Sequence, residues 1–242
     1  MNKIMMVLLC LWSPVLSFGD ARLVFPERIP NVPIASEYLN KHAEMAELLW
    51  QSLQNEAVFL KREVLEMAVK GYFTMAEKGL LREGKPLSVI DFDLPSSKKR
   101  LWIIDMKTLK LRYASLVAHG RKSGELMAKN FSNIAESHMS SLGFYLTGET
   151  YSGKHGASLR LDGLEKGIND QARSRAIVIH SADYAEPSFL KAHGRLGRSL
   201  GCPALPREDY EEIIALIKDK SCLFIHSSQA AYRSKSVFLG QG

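Results

Sequence analysis

Two nucleophiles stand three residues apart in the stretch GRSLGCPAL, Ser199 and Cys202. Gly197-Arg198-Ser199-Leu200-Gly201 has the letter pattern of a serine-hydrolase elbow, which needs a strand running into the serine and a helix running out of it. The preceding AHGRLGR is no strand, prolines 203 and 206 follow at once, and little chain remains for a downstream acid and histidine. The cysteine reading asks for less. A thiol has a free pKa of about 8.5 and becomes a nucleophile when a base or a positive field favours its thiolate. His180 closes the apolar run RAIVIHSA, where a strand would hold its ring rigidly, and Arg198 adds positive charge. Glycine at 201 lets the chain turn so that amides around Gly201 and Cys202 form an oxyanion hole.

Two other chemistries are weaker. The glycines and arginines from Gly194 to Gly201 lack the Gly-Lys-Ser/Thr ending of a phosphate loop. HGASLRLD, residues 155 to 162, has the His-to-Asp interval of zinc D-alanyl-D-alanine peptidases, with His180 or His193 as a third ligand. Ser158 and Arg160 stand where that pattern wants glycine and alanine, so a loop histidine is the plainer reading of His155. The cysteine chemistry needs neither metal nor cofactor.

The elements that position these residues change character along the chain. The 242 residues are 46% hydrophobic and 24% charged, enough to bury a core. Residues 1–19, with Lys3, an apolar run from Ile4 and small residues at Ser17 and Gly19, read as a secretory signal peptide; the alternative is an N-terminal anchor. Cleavage there would lower the formal net charge from +6 to +5. Lysines and arginines are dispersed rather than clustered with aromatics, which argues against nucleic acid, while an exported basic protein meets anionic wall polymers and lipid surfaces. Prolines 26, 30 and 33 make 20–35 a linker. A helical segment follows over 36–84, its first helix capped by Ser36 and its second carrying Val64, Leu65, Ala68, Val69 and Tyr72 on one face.

From residue 85 to the end the grammar is mostly β with a few helices. LSVIDFDL is a strand, RLWIIDM and LKLRYASLVAH form a hairpin about Lys107-Thr108, and SLGFYLTG, YSGKHGASLRL, RAIVIHSA and CLFIH follow. A helix is expected from Pro206 through IIALIKDK. Cys202 and Cys222 survive signal cleavage, and an even count in an exported chain raises a disulfide. Cys222 lies in an apolar run that reads as buried strand, where a free thiol acts as a small hydrophobe, so both are expected reduced. Tyr145 and Tyr151 are placed along a cleft, touching substrate.

IVIHSADY followed by GRSLGCPAL resembles the YkuD-type L,D-transpeptidases of bacterial cell-wall synthesis, which carry a histidine at a strand end and then Ser-x-Gly-Cys. SLVAHGRKSG, SSLGFYLTGETYSGKHG and GRSLGCPA look like the murein L,D-transpeptidase catalytic-domain branch. The resemblance covers roughly Leu87 to His226 and implies a YkuD-like β-sandwich domain. It implies Cys202 as nucleophile, His180 as base, the Ser181 carbonyl as the group orienting the imidazole, Gly201 and Ser199 as support, and Arg198 as a ligand for a stem-peptide carboxylate. It also implies peptidoglycan stems as substrate, 3–3 cross-links as product, a carbapenem as covalent inhibitor, and a periplasmic or wall-side location. The departures are Leu200, where His, Lys or Trp is common, and Pro203-Ala204 after the cysteine. Transfer to water instead of an amine would make an L,D-carboxypeptidase, and loss of chemistry a wall-binding protein.

Overall fold

The computed structural model describes residues 34–153 and 156–240. The expected signal peptide, nearly all of the expected linker, and His155 lie outside them. Helix α1 (Ile34–Leu53) and helix α2 (Arg62–Glu77) form an antiparallel pair. Ser36 therefore sits inside the first turn of α1 and not at its cap, since the helix begins two residues earlier at Ile34. The buried face of α2 is Val64, Leu65, Ala68 and Val69, as expected, with Gly71 and Met75, while Tyr72 is only half-buried.

The remaining chain supplies strands β1 (Leu87–Asp91), β2 (Leu101–Asp105), β3 (Lys110–Ser115), β4 (Gly143–Gly153), β5 (Gly156–Gly163), β6 (Val178–Ser181), β7 (Ala204–Leu205) and β8 (Cys222–His226). They join in one sheet in the order β3-β2-β1-β8-β4-β5-β6-β7. Beyond β3, Ala118 bridges Ala204 of β7 and Gly120 bridges Ser199, so the two ends of the sheet approach each other and it nearly closes. The mostly-β expectation holds, and the hairpin about Lys107-Thr108 is the antiparallel β2–β3 pair. Strand β8 is buried at every residue, parallel to β1 and antiparallel to β4, which is why CLFIH is a continuous apolar run.

The helical pair shares its core with the sheet. Gly71 of α2 lies so close to Phe144 of β4 that a Cβ there would fall 2.0 Å from the ring, and Phe144 stacks on Phe224 of β8 with centroids 4.3 Å apart. Any side chain at position 71 would lever α2 off the sheet.

Three element boundaries differ from the sequence reading. Strand β1 stops at Asp91, because the Asp91 carboxylate accepts the Asp93 N–H and turns the chain. The helix expected from Pro206 is α4 (Tyr210–Ile217); Glu186 accepts the Arg207 N–H and holds the intervening residues in a turn. Ala204-Leu205, not among the strands expected, is a two-residue strand. A short 3-10 turn (Asp183–Ala185), helix α3 (Pro187–His193) and helix α5 (Ala230–Lys235) complete the structure. Both Cys202 and Cys222 are free thiols, the latter fully buried.

Candidate active site

Strands β6 and β7 bring the expected pair into one neighbourhood. They run parallel with His180 opposite Ala204. Carrying that register back two residues sets Val178 opposite Cys202, and the Val178 N–H indeed points at the Cys202 Sγ, 3.5 Å away. His180 is thus one diagonal step along the ladder from Cys202. The thiol in turn faces the Ala176 carbonyl at 3.7 Å, a weak donor contact.

The imidazole of His180 is buried, and its Nδ1 lies 2.8 Å from the Ser181 carbonyl oxygen. A carbonyl only accepts, so Nδ1 carries the hydrogen, and in the neutral ring the lone pair is on Nε2. This is the tautomer a base needs.

The turn that carries Cys202 is braced from three sides. Ser199 Oγ donates to the Cys202 carbonyl at 2.6 Å and accepts the Gly201 N–H at 3.0 Å. The Ser199 N–H donates to the His119 carbonyl, and the Arg121 N–H to the Ser199 carbonyl. Ser140 Oγ donates to the Gly201 carbonyl at 2.9 Å. Gly201 has φ +131°, a conformation that L side chains rarely adopt, and a Cβ there would fall 2.9 Å from the Met139 oxygen. Ser199 therefore supports the turn and is itself buried.

One sequence expectation changes here. The Gly201 amide is consumed by Ser199 Oγ inside the turn, so it is not free to face an oxyanion.

The cation near the thiol is Arg175, not Arg198. Its guanidinium donates to the Ser132 carbonyl at 2.7 Å, Ser141 Oγ at 2.6 Å, Ser137 Oγ at 3.1 Å and the Met139 carbonyl at 2.8 Å. It thereby ties the long segment between Arg121 and Leu142, which has no regular secondary structure, against the Gly201 turn. Burial pushes the Cys202 thiol up from its ordinary range; the Val178 N–H and the Arg175 charge pull it part of the way back. The net effect disfavours the thiolate, so a base is what this thiol calls for. Arg198 instead pairs with Glu125 and reaches the Arg121 and Gly124 carbonyls. These contacts are all made by Nη1.

Of the two tyrosines expected along the cleft, one is excluded from it by burial. Tyr145 is fully buried in the core, its hydroxyl donating to the Ser141 carbonyl at 3.0 Å. A group with no accessible surface cannot touch substrate, so that expectation is corrected: its large apolar ring fills the interior behind β4. Tyr151 is exposed on the outer part of the β4–β5 pair, with the Arg160 guanidinium 4.6 Å from its ring centroid. The tyrosine beside the site is Tyr184, at the end of the quoted IVIHSADY; burial, then proximity to Cys202, pushes its hydroxyl up to about 12. Leu200, the departure from the family pattern, projects into solvent next to Cys202 at 60% exposure.

A buried polar pair backs the turn. Arg100 is fully buried and donates through Nη2 to His119 Nδ1 at 2.8 Å, so His119 Nε2 carries the hydrogen that meets the Gly124 carbonyl. Burial, with the adjacent Arg100 charge, lowers His119 to about 3 and keeps it neutral. Sequence reasoning missed Arg100, Arg175 and His119. The one available signal was basic residues abutting apolar strands, as in RLWII and RAIVIH.

The zinc reading turns on His155, which lies outside the described residues. Asp162 is held by the Arg173 guanidinium. The potential metal cluster among the described residues, Asp91, Asp93 and His226, contains none of the expected ligands.

Comparison with known proteins points one way. A family model described as YkuD_2, L,D-transpeptidase catalytic domain, matches residues 56–226. No curated protein matches the chain. Among solved structures, an L,D-transpeptidase from Mycobacterium smegmatis aligns at 12% identity over 59% of this chain and 59% of its own, with a TM-score of 0.36. One from Stackebrandtia nassauensis aligns at 9% identity over 80% of this chain and 93% of its own, with a TM-score of 0.35. An LD transpeptidase in complex with imipenem aligns at 9% identity over 58% of each chain, with a TM-score of 0.36. The chain thus spans 59% of the length of the first of these structures. Such low scores carry no argument about this chain, and the family match stands without them.

Proposed function

The chain belongs to the family of L,D-transpeptidase catalytic domains, and from that membership we propose that it is an exported cysteine acyltransferase acting on peptidoglycan stem peptides. Cys202 Sγ attacks the carbonyl of the L-centre residue at stem position three. His180 Nε2 takes the thiol proton, while its Nδ1–H stays on the Ser181 carbonyl. The C–N bond to the terminal D-amino acid breaks, and the imidazolium returns its proton to the leaving amine. A thioester on Cys202 remains. Attack by the side-chain amine of a second stem releases Cys202 and forms a 3–3 cross-link; water in its place gives an L,D-carboxypeptidase.

The observation that carries the reading is the pairing of β6 with β7. It supports the reading because His180, with its Nδ1–H on the Ser181 carbonyl, pairs with Ala204, two residues past the thiol on its braced, glycine-dependent turn. Arg175 supplies the positive field at the sulfur. Export rests on the signal-like residues 1–19 and places the chain on the periplasmic or wall side of the membrane. No helix among the described residues is long and apolar enough to cross a membrane. A carbapenem is expected to acylate Cys202, since its strained ring presents the same sulfur with an acyl carbon.

The test is incubation of purified protein with tetrapeptide muropeptides. Released terminal D-amino acid with 3–3 dimers supports the transpeptidase, and release with tripeptide monomers alone assigns the carboxypeptidase. Binding of muropeptides without release would leave a wall-binding protein and overturn the proposal.

A further inference from the structure

Away from Cys202, three groups that bind metal ions converge where two parallel strands end. Asp91 and His226 close β1 and β8 and face each other in register. Asp93 follows two residues on. A carboxylate oxygen from each aspartate and a ring nitrogen of His226 all lie within 4.8 Å of one another. His226 Nδ1 is 2.9 Å from Asp91 Oδ1 and 4.0 Å from Asp93 Oδ2.

A second observation points to a ligand. Asp91 is fully buried, and its Oδ2 has no hydrogen-bond partner among the described residues. Oδ1 already accepts from His226 and from the Asp93 N–H. The buried Arg100 guanidinium does not fill the gap, because its hydrogen bonds go to Val117, Leu94 and His119. A buried carboxylate oxygen left without a donor is costly, and a bound cation removes that cost. The site is also supported and reachable. Ser227 Oγ and the Ser228 N–H hold the Asp93 carboxylate. Asp93, Ser227 and Ser228 line one cavity of about 440 Å³, and His226 with the same serines lines another of about 510 Å³.

We propose that Asp91, Asp93 and His226 bind a divalent first-row transition-metal ion of the Zn²⁺ or Mn²⁺ class. Calcium takes six to eight oxygens and magnesium favours carboxylates with water, whereas an imidazole beside two carboxylates suits a transition ion. Metal–ligand bonds of about 2.0–2.2 Å place neighbouring ligand atoms about 3 Å apart. The His226–Asp91 separation has that value, and Asp93 would close the other by giving up part of its hold on Ser227 and Ser228. The ion replaces the hydrogen on His226 Nδ1, which leaves to solvent. It then ties the ends of β1 and β8 together and does no chemistry at Cys202.

The full chain, stripped with EDTA and dialysed, is titrated separately with ZnCl₂ and MnCl₂ by calorimetry, and its melting temperature is read with and without each ion. The expected result is one ion per chain with a raised melting temperature. Affinity should fall at least about tenfold in Asp93→Asn and in His226→Gln, while Cys202→Ser binds as the parent does. Asp93→Asn retains an acceptor for the Ser228 N–H, and its melting temperature in EDTA checks that it folds. Absence of binding by the parent chain overturns the proposal. So does equal binding in both variants, which would assign the ion to surface histidines, or loss of binding in Cys202→Ser.

Discussion

Ser199→Ala separates the two nucleophiles of the GRSLGC turn. In the folded protein the Ser199 hydroxyl makes two bonds, donating to the Cys202 carbonyl and accepting the Gly201 N–H. Alanine removes both and leaves the Gly201 N–H, on a buried residue, without its partner. A buried donor left unsatisfied costs about 1–3 kcal/mol, and a lost neutral hydrogen bond about 1 kcal/mol. The sum is roughly 2–4 kcal/mol. For a chain of this size each kcal/mol moves the melting temperature about 2–4 °C, so the expected fall is roughly 4–16 °C. The variant stays folded, since the typical domain has about 5–15 kcal/mol in hand. Acyl transfer should weaken as the turn loosens and should persist, because Cys202 and His180 are untouched. Thermal denaturation followed by circular dichroism, with D-amino acid release assayed on the same preparation, reads both effects. An unchanged melting temperature with complete loss of acyl transfer would refute the reasoning and make Ser199 a reacting group.

Two further perturbations probe the charges behind the turn. His119 is held near 3 in the folded state against about 6.5 unfolded, so between those values the unfolded chain binds the extra proton and stability falls as pH falls. His119→Gln keeps an acceptor for Arg100 and a donor for Gly124 but does not titrate; its stability difference from the parent should change by roughly 2 kcal/mol between pH 7 and pH 5, in the variant's favour, and a constant difference in urea unfolding at both pH values would show that His119 is not locked neutral. Arg175→Met should move the pH midpoint of Cys202 alkylation by iodoacetamide upward, because the Arg175 charge holds the thiol down; Arg175→Lys should restore part of the shift, and identical profiles in all three proteins would remove Arg175 as the source of the field.

The chemistry was more legible than the scaffold around it. Cys202 and His180 stand out because a thiol on a Gly-Pro loop and a histidine closing an apolar strand are local features of the sequence; the Ser181 carbonyl came only from the family resemblance. Ser199 as a brace follows from its three-residue offset in a tight turn. The strand runs were legible for the same reason: LWIID and CLFIH are apolar because both faces are buried. What escaped the sequence depends on contacts across long separations. Arg175 reaches Ser132, Ser137, Met139 and Ser141 through a segment that has no periodicity to betray where it goes. Arg100 and His119 look like surface residues by type, yet both are buried because each satisfies the other. Tyr145 misled for the opposite reason. An aromatic in a strand beside a glycine-rich hairpin suits a cleft as well as a core, and only the close approach of the neighbouring layers decides for the core. The partner of Arg198 was equally hidden, since Glu125, far away in sequence, pairs with it.

The central claim is that Cys202 is the acyl-accepting atom. Treatment of the purified protein with imipenem, intact-mass measurement, and mapping of the modified peptide test it most directly. One adduct per chain is predicted, on the peptide that contains Cys202, and none in Cys202→Ser. An adduct on Ser199, or one that persists in Cys202→Ser, would contradict the account.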